Sequence, residues 1–119
     1  MYAVKTFKGA QLDLTHFKGA TIRDYEIEFL NDDCTAMELG LYSNIIINIR
    51  YKEGGTLINS YSALDGEITF NNPKDQFIYW TVESEDFEEI PRLEYFQECF
   101  GVLSNGQKDL LFHGISDLT

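Results

Sequence analysis

The sequence predicts an all-β fold: an antiparallel β-sandwich of seven or eight strands with Greek-key connections. Three observations predict it. The dominant hydrophobic period is two, as in Tyr25-Glu26-Ile27-Glu28-Phe29, where apolar and acidic residues alternate strictly. Turn signals recur roughly every 8–12 residues, the spacing of sandwiches and barrels. Finally, 119 residues, 44% of them hydrophobic and 14% aromatic, make one domain's worth of chain, long enough to build a core without disulfide or metal staples.

Taken in order, residues 1 to 15 are expected as an N-terminal arm or first strand and residues 16 to 119 as a single β-sandwich domain. Chain ends that no sheet ties down fray, so the first ten residues are expected to order on a partner. Phe7-Lys8-Gly9-Ala10 is echoed by Phe17-Lys18-Gly19-Ala20, which at two copies reads as chance. Tyr25, Ile27 and Phe29 then point inward from a half-buried strand, and residues 31 to 41 read as a loop or a single turn. Ile45, Ile47, Ile49 and Tyr51 repeat the inward pattern, with Asn48 and Arg50 opposite; β-branched and aromatic residues suit a pleated surface. Lys52-Glu53-Gly54-Gly55 is a hairpin signal, since glycine supplies the positive φ of tight turns, and Thr56 to Ser62 is the return strand.

Asp65-Gly66 turns into Glu67 to Phe70, and Asn71 to Asp75 has loop composition. Gln76 to Val82 is apolar on both faces and reads as a central strand. Ser84 to Ile90 alone has helical character, with Ser84 as N-cap, acids in the first turn and Pro91 as the stop. Tyr95 to Leu103 is a strand of ambiguous register, because Phe96, Phe100 and Val102 compete with Tyr95 and Cys99 for the core face. Ser104-Asn105-Gly106 turns the chain into the closing strand, Gln107 to Ile115.

Charge narrows the function. The formal net charge is −11, and residues 61 to 119 hold 12 acids against 3 bases. The scattered Lys and Arg form no cluster of the kind that neutralises phosphates, so neither nucleic acid nor an anionic membrane is an expected partner. Cys34 and Cys99 are far apart and lack metal-ligand spacing; both are expected as free thiols in a reducing compartment. The N-terminus lacks a signal peptide's apolar core, and no apolar run approaches the ~20 residues of a membrane span. The expectation is a soluble protein made in the cytoplasm.

Chemistry finds little purchase. His16 and His113, with Asp13 and Ser116 nearby in sequence, could be imagined as a hydrolytic constellation, but no nucleophile elbow or glycine-framed serine accompanies them. Each histidine is expected at the surface or at a strand end. Cys99 beside Glu98 lacks the electropositive setting of a reactive thiol and reads as structural. Asn31-Asp32-Asp33 and Asp65-Gly66-Glu67 offer hard oxygen ligands, yet neither matches a calcium loop and both are ordinary turn compositions. Trp80 with Tyr42, Tyr51, Tyr61 and Tyr79 could stack sugars, although a lone Trp on an all-apolar strand reads as core. No glycine-rich phosphate loop is present. No catalytic residue, metal ligand or cofactor is expected. The acidic run Glu83, Glu85, Asp86, Glu88, Glu89 is the strongest electrostatic feature, able to dock a basic patch.

The order of the pieces says more than any one of them. Lys18-Gly19-Ala20-Thr21 leads into the strand ending at Phe29; Asn31-Asp32-Asp33 and Met37-Glu38-Leu39-Gly40-Leu41-Tyr42 follow; then come Ile49-Arg50 and Asp65-Gly66-Glu67-Ile68. The aromatic strand from Tyr95, the turn Ser104-Asn105-Gly106 and Leu110-Leu111-Phe112-His113-Gly114-Ile115 complete the series. Over residues 17 to 115 this resembles the small immunoglobulin-like β-sandwich domains of tailed-bacteriophage virion proteins, in particular the N-terminal domains of baseplate upper proteins and related small phage structural proteins. It departs at Ala20, where an acid is usual, and at Gln97-Glu98, which blurs a YxYD-like strand.

The resemblance implies an immunoglobulin-like fold and a structural or interaction module of a phage or prophage particle, as a tail, baseplate, collar or head-fibre adaptor. It implies a homo-oligomer docked to other virion proteins, located in the virion after assembly in the host bacterial cytoplasm, or cytoplasmic if prophage-encoded and unassembled. It carries no active site, and the chain is not expected to be an enzyme. The expected contacts are Tyr2, Val4 and Phe7 in the N-terminal segment and Glu83, Glu85, Asp86, Phe87, Glu88 and Glu89 in the acidic one, with strand addition at an exposed edge as the mode. The alternative is a carbohydrate-binding (receptor-binding) β-sandwich module, which needs exposed aromatics on one face.

Overall fold

A computed structural model describes residues 2–16, 22–70, 76–91 and 93–119, apart from the side chains at 2, 22, 23 and 84. Among these residues lie ten strands: β1 (Tyr2–Phe7), β2 (Ala10–Gln11), β3 (Leu14–His16), β4 (Ile22–Leu30), β5 (Asn44–Arg50), β6 (Leu57–Ser62), β7 (Ile68–Phe70), β8 (Phe77–Glu83), β9 (Glu94–Val102) and β10 (Lys108–Leu118). A four-residue 3₁₀ helix, η1 (Ser84–Phe87), follows β8. The strands form a four-stranded sheet, ordered β1-β4-β8-β7, and a six-stranded sheet, ordered β2-β10-β9-β5-β6, with β3 beside β2 on the same edge of β10. The fold is an all-β sandwich.

Two features differ from the sequence expectation. There are ten strands, not seven or eight, and both sheets are mixed rather than antiparallel. The N-terminal chain causes both. β1 runs parallel to β4, with Val4 opposite Ile27. Gly9, at φ +76°, then redirects the chain to the other sheet, where β2 and β3 run parallel to β10. The first residues are thus a strand of the four-stranded sheet. The echo at Phe17 to Ala20, the opening Lys18 to Thr21 and the Asn71 to Asp75 loop lie outside the described residues.

The alternating segments behave as their period demands. Tyr25, Ile27 and Phe29 of β4 and Ile78, Trp80 and Val82 of β8 are buried, facing Ile45, Ile47 and Ile49 of β5. Burying one such side chain is worth about 1.5–3 kcal/mol. Aromatic rings join the layers: Tyr61 of β6 meets Trp80 edge-on at 5.2 Å, and Phe29 stacks on Phe112 at 6.1 Å. β8 is central, between β4 and β7. Tyr51 does not continue the β5 pattern; it stands past the strand in the hairpin turn and is half exposed. Gly54, Gly66 and Gly106 carry the positive φ their turns require. The 31–43 loop folds inward, with Met37 and Leu39 buried.

Within β9 the core takes Tyr95, Gln97, Cys99 and Gly101. The small residues are inward for steric reasons. A Cβ on Gly101 would lie 2.6 Å from the Tyr42 ring, and the Gln97 amide donates to the Leu12 carbonyl at 2.8 Å. The large apolar set therefore faces out.

Candidate interaction surfaces

The acidic segment is first a clasp between the sheets. β8 ends at Glu83, whose backbone N–H donates to Asp86 Oδ2 at 3.1 Å. The same oxygen accepts the Tyr61 hydroxyl at 3.0 Å, and the Asp86 carbonyl accepts Asn59 Nδ2 at 2.6 Å. Asn59 and Tyr61 belong to β6, so η1 fastens the end of one sheet to the edge of the other. Burial, followed by the charge of Asp86, pushes the Tyr61 hydroxyl well above its ordinary range. The N-cap is Glu83 rather than Ser84.

Phe87 is 3% exposed, its ring 5.1 Å from that of His16. Its aromatic side chain belongs to the core and is not presented to a partner. Asp86 is half-buried in the clasp, whereas Glu83, Glu85, Glu88 and Glu89 face solvent. A hydrogen bond to Glu85, and then the charge of Glu85, hold the Glu83 carboxyl above the usual carboxylate range. Asp65, Glu67, Thr81, Glu83 and Asp86 line an acidic hollow of about 380 Å³ beside the clasp. Among the described residues no group of three or more His, Cys, Asp or Glu is placed to hold a metal ion. At the other acidic turn, Asp33 accepts the Thr35 N–H at 3.1 Å, and its hydrogen bonds to Thr35 lower its carboxyl pKa.

In β1, Val4 is half-buried and packs on the core, while Phe7 is 40% exposed on the outer face. Lys5 lies 3.8 Å from Glu28 of β4. Among the described residues no strand pairs with the far side of β1. The side chain of Tyr2 lies outside the described residues. A cleft of about 540 Å³ opens where Lys8, Met37, Leu41, Tyr42 and Asp109 converge, with the Tyr42 hydroxyl donating to Asp109 at 2.9 Å.

The imagined hydrolytic constellation does not assemble. His16 ends β3 but is 2% exposed, packed among Tyr25, Trp80 and Phe87, rather than at the surface. Its strand partner Leu118 also faces the core, whereas His113 pairs with Glu98 on the outer face. Asp13 Oδ1 accepts the Ile115 N–H at 2.8 Å, and Ser116 is buried. Cys99 is buried, and burial pushes its thiol well up; Cys34 is exposed, and both are free. The sugar platform loses Trp80, Tyr42 and Tyr61 to the core. Tyr79 remains half-buried, stacked on Phe77 at 6.2 Å on the outer face of the four-stranded sheet.

One surface escaped sequence reasoning. The outward face of the six-stranded sheet carries Ile46, Phe100 and Leu110 side by side on β5, β9 and β10, and Phe96 beside Ile115. Its signal was the unresolved register of β9.

Neither a family model nor a curated protein matches the sequence. Among solved structures the chain is similar to the N-terminal domain of phage TP901-1 ORF48, at a TM-score of 0.55 and 6% identity. The match covers 99% of this chain and 98% of that one. The likeness is one of fold, from end to end of both chains.

Proposed function

We propose that this chain is a structural module of a phage or prophage particle, an immunoglobulin-like adaptor that docks to other virion proteins and to copies of itself. The observation that carries the reading is the end-to-end fold likeness to a domain of a phage protein. The order of strand and turn motifs over residues 17 to 115, which resembles baseplate upper proteins, supports it independently. In this reading the chain is not an enzyme and works by burying surface. The far edge of β1 and the exposed carboxylates Glu83, Glu85, Glu88 and Glu89 are available to partners. Strand addition would use the β1 edge, since an edge strand's backbone groups form a template.

The test is the protein content of purified particles of the phage or prophage that encodes the chain. Mass spectrometry should find it in fixed ratio to the tail or capsid proteins. Its absence from intact particles, with the protein abundant in the same lysate, overturns the reading.

A further inference from the structure

The outer face of the six-stranded sheet breaks the usual rule for a solvated sheet, in which inward positions are apolar and outward ones polar. In β9 the pattern is inverted. The core receives Gln97, Cys99 and Gly101 along with Tyr95, while Phe96, Phe100 and Val102 stand half-buried on the outer face between Glu94 and Glu98. Neighbouring strands add to two apolar clusters, which the polar row of Asn48, Glu98 and His113 separates. Ile46 and Leu110 flank Phe100 in direct register, and Ile115 flanks Phe96. Leu110 and Ile115 are each more than a third exposed.

We propose that this face is a self-association surface, covered by the same face of a second copy of the chain. This rests on the assembly reading above and names its contact. Two arguments select a second copy. The first is charge. The chain carries −11, yet the outward positions of this sheet hold three acids, Glu94, Glu98 and Asp117, against two bases, Arg50 and Lys108. Arg50 already neutralises Glu98 at 2.7 Å. Two copies of a strongly acidic chain meet with least repulsion through this face, whereas a basic partner would be drawn to the carboxylates elsewhere.

The second argument is area. Nine residues of β9 run about 30 Å, and five strand positions span roughly 24 Å, so the face offers on the order of 700 Å². That is close to the ~800 Å² each partner contributes to a standard-size interface. Two such faces would pack as a twofold sheet-on-sheet contact, with Phe100 and Leu110 toward one end and Phe96 and Ile115 toward the other.

The test is sedimentation equilibrium of the full chain over a concentration series, with Leu110→Asp and Ile115→Asp as face variants. Both positions are exposed enough in the single chain for the charge to stay hydrated, and circular dichroism melts check that each variant folds. Leu64→Asp, 78% exposed in the turn between β6 and β7, is the control, and Phe7→Asp probes the β1 edge. We expect the wild type to dimerise, each face variant to raise the dissociation constant at least tenfold, and the control to leave it unchanged. A wild type monomeric up to millimolar concentration overturns the proposal. So does association that Phe7→Asp abolishes and the face variants do not. A monomer that is nevertheless found in particles sinks this contact and leaves the virion reading standing.

Discussion

Replacing Gly114 by alanine should cost the fold roughly 4 kcal/mol. Gly114 lies inward on β10, where the connection from β2 to β3 passes directly over it. An added Cβ would sit inside the van der Waals envelope of the Leu12 carbonyl oxygen and 2.6 Å from Asp13 Oδ1. The first obstacle is backbone and cannot swing aside as a side-chain tip would. The Leu12 N–H is tied to the His113 carbonyl at 2.8 Å, the Leu12 carbonyl to the Gln97 amide at 2.8 Å, and Asp13 Oδ1 to the Ile115 N–H at 2.8 Å. Overpacking costs about 1–3 kcal/mol. Pulling Leu12 away also leaves the fully buried Gln97 amide unsatisfied, a further ~1–3 kcal/mol. At about 2.1 cal/mol/K per residue, 119 residues lose roughly 4 °C of melting temperature per kcal/mol, so the shift should be about 15 °C. Urea unfolding of wild type and variant, compared at equal m-value, measures it. A loss under about 1 kcal/mol would mean that the β2–β3 connection yields freely, and that the packing of Leu12 on Gly114 does not hold it in place.

Tyr61→Phe should cost about 1 kcal/mol through loss of the hydroxyl bond to Asp86. Because the fold raises the Tyr61 hydroxyl above its ordinary value, its stabilisation is complete below about pH 10 and declines as pH rises further, by up to ~1.4 kcal/mol per pH unit. Urea titrations between pH 8 and about pH 11 should show a shallower decline in Tyr61→Phe than in wild type. Under native conditions a thiol reagent should modify Cys34 quickly and Cys99 only after denaturant is added; equal rates would contradict the burial of Cys99. Trp80, 1% exposed, should emit in the blue and resist iodide quenching until the cooperative unfolding transition.

The elements legible in the sequence are those whose own side chains settle their position. β4 and β5 alternate so strictly that a shift of one residue would expose Ile27 or Ile47, and β8 turns Ile78, Trp80 and Val82 inward with Phe77 and Tyr79 half-buried outside. The N-terminal strands were harder to read. Their pairing is with β4 and β10, far along the chain, and short strands such as Ala10–Gln11 carry no period. The register of β9 is decided by Tyr42 against Gly101 and Leu12 against Gln97, contacts that no local pattern encodes. The acidic segment was visible as charge, but its structural work was hidden. Phe87, alone among acids, is the anchor that holds η1 to the core, and Asp86 is the hook that reaches β6. His16 ends a strand, one of the two places expected of it, but its burial was not legible because it depends on Tyr25, Trp80 and Phe87 arriving from three other segments.

The parallel pairing of β3 with the last strand, β10, has a mechanical consequence. β3 and β10 lie side by side and point the same way, joined at one end by the Leu12 N–H to the His113 carbonyl and at the other by the Thr119 N–H to the His16 carbonyl, each at 2.8 Å. Tension applied between Leu14 and Leu118 pulls such a pair in opposite directions along its length. The load falls on the rungs together, in shear, instead of opening them one after another as in a peeled antiparallel hairpin. Yielding then requires several bonds to fail in one step, and forced rupture is governed by the unfolding barrier. A sandwich threaded in this way can bear tension along its own chain without depending on a large equilibrium stability.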